Sequence, residues 1–137
     1  MALDVRLTKS LEGFDIDVEL LLDEELLVLF GPSGAGKTMI LKMISGIVRP
    51  DAGRVTLGSQ RLFDSAAGLD VPIRARKIGY LFQDYALFPH MTVRANITYG
   101  GLGPKGAGGA GKVADLIGLM RLTGLEERYP HELSGGQ

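Results

Sequence analysis

Apolar and polar residues alternate strictly at two places near the amino terminus. Val5 and Leu7 are interleaved with Asp4, Arg6 and Thr8, and Phe14, Ile16, Val18 and Leu20 with Asp15, Asp17 and Glu19. A period of two turns one apolar face inward and one polar face outward, so it predicts two half-buried strands joined near Glu12-Gly13. The pattern then changes. Leu26-Leu27-Val28-Leu29-Phe30 is apolar without alternation, which suits a strand covered on both faces in a parallel sheet. Gly31 to Gly36 ends that run. From Thr38 to Ile47 the residues Ile40, Leu41, Ile44 and Ile47 take helical spacing, with Gly46 near the end and Arg49-Pro50-Asp51 as the stop. Val55 and Leu57 predict a short strand and Ile78 to Phe82 another, preceded by Arg74, Arg76 and Lys77. Seven of the twelve residues from Gly100 to Gly111 are glycine, a density whose backbone entropy opposes regular structure and predicts a flexible surface loop. Beyond it Val113, Leu116, Ile117 and Met120 form the stripe of an amphipathic helix. No internal repeat is visible.

Strand, glycine loop and helix together give the first chemistry. Gly31-Pro32-Ser33-Gly34-Ala35-Gly36-Lys37-Thr38 matches G-x-x-x-x-G-K-[ST]. Glycines there let the backbone wrap a phosphate chain with several N–H groups pointing inward, and the helix that follows adds its positive end. Lys37 is then expected against the β- and γ-phosphates, and the Thr38 hydroxyl on magnesium. A glycine-rich turn could match by accident, but not with a buried strand before it and a helix after it. Gly106, Gly108 and Gly111 also satisfy G-x-G-x-x-G. That dinucleotide fingerprint must follow a strand, whereas Gly103-Pro104-Lys105 precedes it here, so composition alone explains the match. The strand Ile78 to Phe82 ends on Gln83, at the carboxyl end of a sheet where open α/β folds bind ligands. An amide there can ligate magnesium or position a water; taken alone, a polar residue closing a strand is the stronger reading.

Two further segments change that balance. Gln83-Asp84-Tyr85-Ala86-Leu87-Phe88-Pro89-His90-Met91-Thr92-Val93 resembles the Q-loop segment of ABC import ATPases, and Leu133-Ser134-Gly135-Gly136-Gln137 resembles their signature motif. Gln83 lies 46 residues after Lys37 and Ser134 lies 97 after it, in the family order. The resemblance extends from Val5 to Gln137. It implies an α/β fold: an incomplete P-loop NTPase (ABC ATPase) core with an amino-terminal antiparallel β portion and part of the helical subdomain. Residues 1–90 would be the nucleotide-binding core from P-loop to Q-loop, and residues 91–137 the partial helical subdomain. It further implies ATP and Mg2+ as cofactors, with Lys37 and Gln83 as the catalytic residues present. Thr38 and Gln83 would contact magnesium, and Gln83 also the attacking water. Leu133, Ser134, Gly135, Gly136 and Gln137 would meet ATP held by a second ATPase subunit. Tyr85 to Val93 would lie near the surface that receives a membrane-spanning permease subunit. Phe14 is the nearest candidate for an adenine-stacking aromatic, although its place in the apolar alternation suits core packing equally.

In that family the second metal-binding strand and the general base follow the signature motif. The chain is therefore expected to be the amino-terminal part only, inactive as an ATPase on its own and poorly soluble. Arg61-Leu62-Phe63-Asp64-Ser65-Ala66, the stretch from Pro72 to Tyr80, and Leu11-Glu12-Gly13-Phe14 resemble the molybdate importers in particular. The expected cargo is molybdate, with tungstate and sulfate next and iron or polyamine as alternatives.

Composition narrows the field further. At 137 residues and 45% hydrophobic the chain fits one domain or somewhat less, with enough apolar residues for a core. Fifteen basic against 16 acidic residues and no long basic run disfavour nucleic acid as a direct partner, and with it a soluble cassette protein of translation or DNA repair. The absence of cysteine excludes disulfides and thiolate metal sites. No basic-then-apolar amino-terminal pattern marks a signal peptide, and the apolar runs fall short of the ~20 residues of a spanning helix. A cytoplasmic protein, peripheral on the inner face of the membrane through its partner, is expected. His90, His131 and Asp84 are read as solvated loop residues.

Overall fold

The structure, a computed structural model, describes residues 2–84, 86–100 and 109–137. It comprises two compact units, Met1–Tyr80 and Leu81–Gln137. The first holds β1 (Ala2–Leu11), β2 (Phe14–Asp23), α1 (Lys37–Ser45), β3 (Ala52–Leu57), β4 (Gln60–Asp64), β5 (Leu69–Asp70) and α2 (Ile73–Arg76). The second holds α3 (Val93–Tyr99), α4 (Gly109–Leu119) and a 3-10 turn at Pro130–Glu132.

The five strands form one antiparallel sheet in the order β2-β1-β3-β4-β5. As the alternation predicts, β1 and β2 are a hairpin closed by Glu12-Gly13, paired from Leu11–Phe14 out to Ala2–Asp23. Val5 and Leu7 of β1, Ile16 of β2, Val55 of β3, and Leu62 and Phe63 of β4 are buried, and Met43 of α1 joins them. The outward positions carry charge: Arg6 pairs with Glu19 directly across the hairpin, and Arg54 with Asp4. Leu62 and Phe63 are both buried because β4 carries an extra residue opposite Val55 and Thr56, a bulge that interrupts the alternation. Helix α1 ends earlier than the expected stop at Arg49-Pro50-Asp51 and leaves Ile47 outside: Gly46 caps it, its left-handed backbone (φ 85°) letting its N–H reach the Lys42 and Met43 carbonyls.

Two expected strands are absent. Leu26–Phe30 and Ile78–Phe82 lie outside the sheet, and Leu26, Val28, Phe30 and Leu81 are 90%, 73%, 98% and 88% exposed. An alternating strand can be satisfied by its hairpin neighbour, joined through two residues. A strand apolar on both faces needs flanking strands and covering layers remote in sequence, and no strand among the described residues pairs with either segment.

In the second unit Val93, Val113, Ile117 and Leu122 form a small core. Helix α4 begins at Gly109, so Gly109 and Gly111 belong to the helix and not to the expected glycine loop. Residues 101–108, and with them Gly106 and Gly108, lie outside the described residues. Met120 falls just past the end of α4 and is exposed, so the predicted stripe is buried only at Val113 and Ile117.

Two carboxyls, exposed Asp51 and half-buried Asp64, stabilise the first unit in a pH-dependent way. The Lys9 ammonium (2.6 Å) and the Ser10 N–H hold Asp51 below the ordinary aspartate value of 3.8, and the Ala67 N–H with Arg61 does the same for Asp64. Each folded-state value lies below the unfolded one. The contribution is therefore complete above about pH 4 and is lost as the pH falls through the folded-state values. Urea denaturation at pH 6 and pH 3 is expected to show an acid loss of stability that Asp51→Asn makes smaller.

Candidate nucleotide-binding site

The site is built around the amino-terminal end of α1. Gly36 is its N-cap in the left-handed region (φ 81°), no side chain caps the helix, and its first turn carries no acidic residue. The orphan amides and positive helix end are thus not neutralised by the protein's own side chains. Gly34 is left-handed as well (φ 85°). Gly36 is pressed against β2: a Cβ there would stand 3.0 Å from Ile16 Cδ1 and 3.4 Å from Phe14 Cε2. Only glycine tolerates both the conformation and the approach.

Lys37 lies across the mouth of its own loop. Its Nζ donates to the carbonyls of Gly31 (2.7 Å) and Pro32 (2.6 Å), and the Ala35 N–H closes a turn on Pro32 O. Ser33, Gly34, Ala35 and Thr38 are exposed around it. Phe14, the first residue of β2, is 42% exposed with its ring edge at Gly36; Ile16, two residues on, is the one that enters the core. These residues suit a magnesium nucleotide. Left-handed glycines, uncapped amides and one ammonium are donors for phosphate, and an exposed hydroxyl is a hard oxygen ligand. Among the described residues no group of three or more His, Asp or Glu could hold a metal. Magnesium bound there would complete its shell with phosphate oxygens and water, as it commonly does.

Gln83 belongs to the second unit. It sits in an exposed turn instead of closing a buried strand, because the segment before it is not in the sheet. The five residues Leu133–Gln137 line a cleft of about 400 Å³ together with Asp84, Leu87 and Pro130. Ser134, Gly135 and Gly136 are exposed, and the Ser134 N–H bonds the Gln137 amide oxygen at 2.9 Å. His90 and His131 are both exposed, His90 edge-on to Phe88 and His131 stacked on Tyr129. Tyr85 lies outside the described residues.

The loop that follows Gln83 is fixed by a residue the sequence does not advertise. Asn96 of α3 donates through Nδ2 to the carbonyls of Phe88, Met91 and Thr92 (3.0–3.1 Å), and its Oδ1 accepts from the Phe88 N–H at 2.8 Å. Thr92 caps the same helix through the Ala95 N–H. Asn96→Asp puts an acceptor where three carbonyls converge. A loss of about 2–3 kcal/mol is expected, read by urea denaturation, with faster hydrogen exchange at residues 87–92.

An antiparallel sheet backed by a helix, with a loop of the G-x-x-x-x-G-K-[ST] pattern at its head, is consistent with the amino-terminal portion of a P-loop NTPase core. The ABC transporter family profile matches residues 16–137, and the chain belongs to that family. It is 40% identical over 137 residues to the molybdenum import ATP-binding protein ModC of Rhizobium etli, covering 100% of this chain and 39% of the relative. It is 41% identical over 134 residues to the sulfate/thiosulfate import ATP-binding protein CysA of Xylella fastidiosa, covering 93% and 36%. Among solved structures the dimeric bacterial ABC transporter cassette MJ0796 superposes with a TM-score of 0.71 at 25% identity, over 98% of this chain and 64% of that one. The chain thus spans less than half the length of the curated relatives it matches. Among the described residues no helix is long and apolar enough to cross a membrane.

Proposed function

We propose that this chain is the nucleotide-binding part of an importer ATPase that uses Mg-ATP to drive uptake of an oxyanion, molybdate. The observation that carries the reading is the uncapped head of α1 with Lys37 across the glycine loop. The 40% identity to a molybdenum import protein supports the cargo, and the sulfate importer at 41% makes sulfate the runner-up. In this reading residues 1–90 are the amino-terminal part of the nucleotide-binding core and residues 91–137 part of the helical subdomain.

The roles follow from the donors each residue offers. The backbone amides from Gly31 to Gly36 and the head of α1 bind phosphate oxygens, and Lys37 leaves its loop carbonyls to neutralise the β- and γ-phosphates. Thr38 and Gln83 offer oxygens to magnesium, which when bound withdraws charge from the phosphates. The Gln83 amide orients the attacking water, and the exposed face of the Phe14 ring stacks on adenine. Leu133, Ser134, Gly135, Gly136 and Gln137 present exposed amides and a hydroxyl to the γ-phosphate held by a second ATPase subunit. The segment Tyr85 to Val93 receives the permease, which places the protein on the cytoplasmic face of the membrane.

The test uses the complete protein that contains this chain. Mg-ATP binding in the micromolar range by calorimetry is expected, together with restored molybdate uptake in cells lacking their own import ATPase. Failure to bind Mg-ATP overturns the nucleotide assignment. Restored sulfate uptake without molybdate uptake moves the cargo to sulfate.

A second reading concerns the 137 residues alone. In the sequence no acidic residue follows four consecutive apolar residues, the pattern expected of the strand that carries a general base: Gly31 follows Leu26–Phe30, and Gln83 follows Ile78–Phe82. The purified 137-residue chain is expected to hydrolyse no more ATP than its Lys37→Ala variant. Magnesium-dependent turnover above that control overturns this reading.

A further inference from the structure

We propose that Arg76 is a positioning residue for nucleotide turnover, holding the rear of the P-loop helix in register with residues 70–71. The inference rests on the nucleotide reading above. Arg76 closes α2 and is 1% exposed, yet it carries a full charge. Its Nε donates to Val71 O at 2.8 Å, Nη1 to Met43 O (3.3 Å) and Ile44 O (2.9 Å), and Nη2 to Asp70 Oδ1 at 2.9 Å. Met43 and Ile44 lie in the last turn of α1, where the dipole favours a cation; the Met43 carbonyl also accepts from the Gly46 N–H, and the guanidinium adds a second donor to it. One planar guanidinium therefore binds the tail of α1 to residues 70–71.

The pocket for this group is made by a missing side chain. A Cβ on Gly46 would stand 2.6 Å from both Arg76 Cζ and Nε, so the guanidinium lies flat against the helix cap. Immediately after Arg76 the chain turns through Lys77 in the left-handed region (φ 54°) and enters residues 78–83. Stability alone does not call for this arrangement, since well-packed apolar replacements of buried ion pairs are often neutral or stabilising. What an apolar residue cannot do is fix carbonyls from two segments at once. Helix α1 is nine residues long, a rod of about 13.5 Å with Lys37 at its head. Slippage at its tail is transmitted to the loop that holds the phosphates.

The experiment compares Arg76→Met, Arg76→Lys and Gly46→Ala in the complete protein. Melting temperature, Mg-ATP affinity and turnover per nucleotide-binding site are measured for each. Mg-ATP affinity is expected to stay within threefold of wild type while turnover per site falls at least tenfold in all three. Arg76→Lys keeps the charge and most of the packing, so it is expected to recover the melting temperature without recovering turnover. A residue that acted only on stability would lower the melting temperature and leave turnover per site unchanged. Turnover within twofold of wild type in Arg76→Lys and Gly46→Ala overturns the proposal, and these two decide the matter if Arg76→Met does not fold. Absence of Mg-ATP binding in the wild-type protein overturns instead the nucleotide reading on which it rests.

Discussion

Gly53→Ala is expected to destabilise the first unit by about 4 kcal/mol or more, the range reached when a substitution strikes a strained backbone position. Gly53 lies in β3 opposite Leu7 of β1 with φ at 112°, a conformation that side chains rarely take. A Cβ there would stand 1.9 Å from Arg6 O, 2.8 Å from Arg6 C and 3.0 Å from Leu7 Cα. All three atoms are backbone, so no rotamer change relieves the clash. Moving β3 away from β1 would pull Val55 off Val5 in the buried core. Gly53 is also held from behind: its N–H donates to Ser65 Oγ at 2.9 Å, and its carbonyl accepts from the Ser65 N–H at 3.0 Å. Gly13→Ala is the control. Its φ is 92°, but a Cβ there meets nothing within 4 Å, so only the left-handed strain of about 1–2 kcal/mol applies. Urea denaturation followed by circular dichroism measures both, and equal losses would show that β1 and β3 are not in such close approach.

The residues that sequence reasoning places correctly are those whose partners are near in the chain. Val5, Leu7, Ile16 and Val18 form a hairpin because a two-residue connection and a strict alternation settle its pairing locally. Helix α1 follows from spacing, though its end falls at Gly46 and not at the expected Arg49-Pro50-Asp51. The runs Leu26–Phe30 and Ile78–Phe82 carry an equally strong apolar signal, but that signal states only what kind of neighbours they need. Strand formation depends on remote segments, and the described residues supply none that pair with them. Arg76 fails to show for the opposite reason. Arg74, Arg76 and Lys77 stand together before Ile78 with nothing in the sequence to tell them apart, and only the fold distinguishes the one that turns inward, against a glycine 30 residues earlier. Asn96 is equally silent, since its four contacts are with backbone, whose chemistry is the same whatever the sequence. In the glycine loop, by contrast, Gly34 and Gly36 take left-handed backbone, a local demand that the spacing of glycines states in the sequence itself.

Lys37→Ala in the complete protein is expected to weaken Mg-ATP binding at least 100-fold, about 2.7 kcal/mol. The ammonium is already engaged by the carbonyls of Gly31 and Pro32 at 2.7 and 2.6 Å, so phosphate must displace two neutral acceptors to capture it. That exchange is favourable because hydrogen bonds between ionised partners are roughly twice as strong as those to neutral groups. Loss of a charge-assisted contact costs about 1.5–3 kcal/mol, and the polyphosphate offers two groups within reach of one ammonium. The fold is expected to survive. Lys37 opens α1, alanine is the best helix former, and neither carbonyl that loses the ammonium is in the core. An unchanged melting temperature with a 100-fold weaker affinity separates a phosphate contact from a structural one. Lys37→Arg sharpens the comparison: it keeps the charge, but a planar fork replaces the compact ammonium between Gly31 and Pro32. If charge alone mattered, arginine would restore wild-type binding. Because a compact ammonium can reach both the β- and γ-phosphates from the loop mouth while a bulkier planar fork cannot take the same place, Lys37→Arg is expected to recover no more than a tenth of the lost affinity. Full recovery would place the phosphates outside the loop mouth.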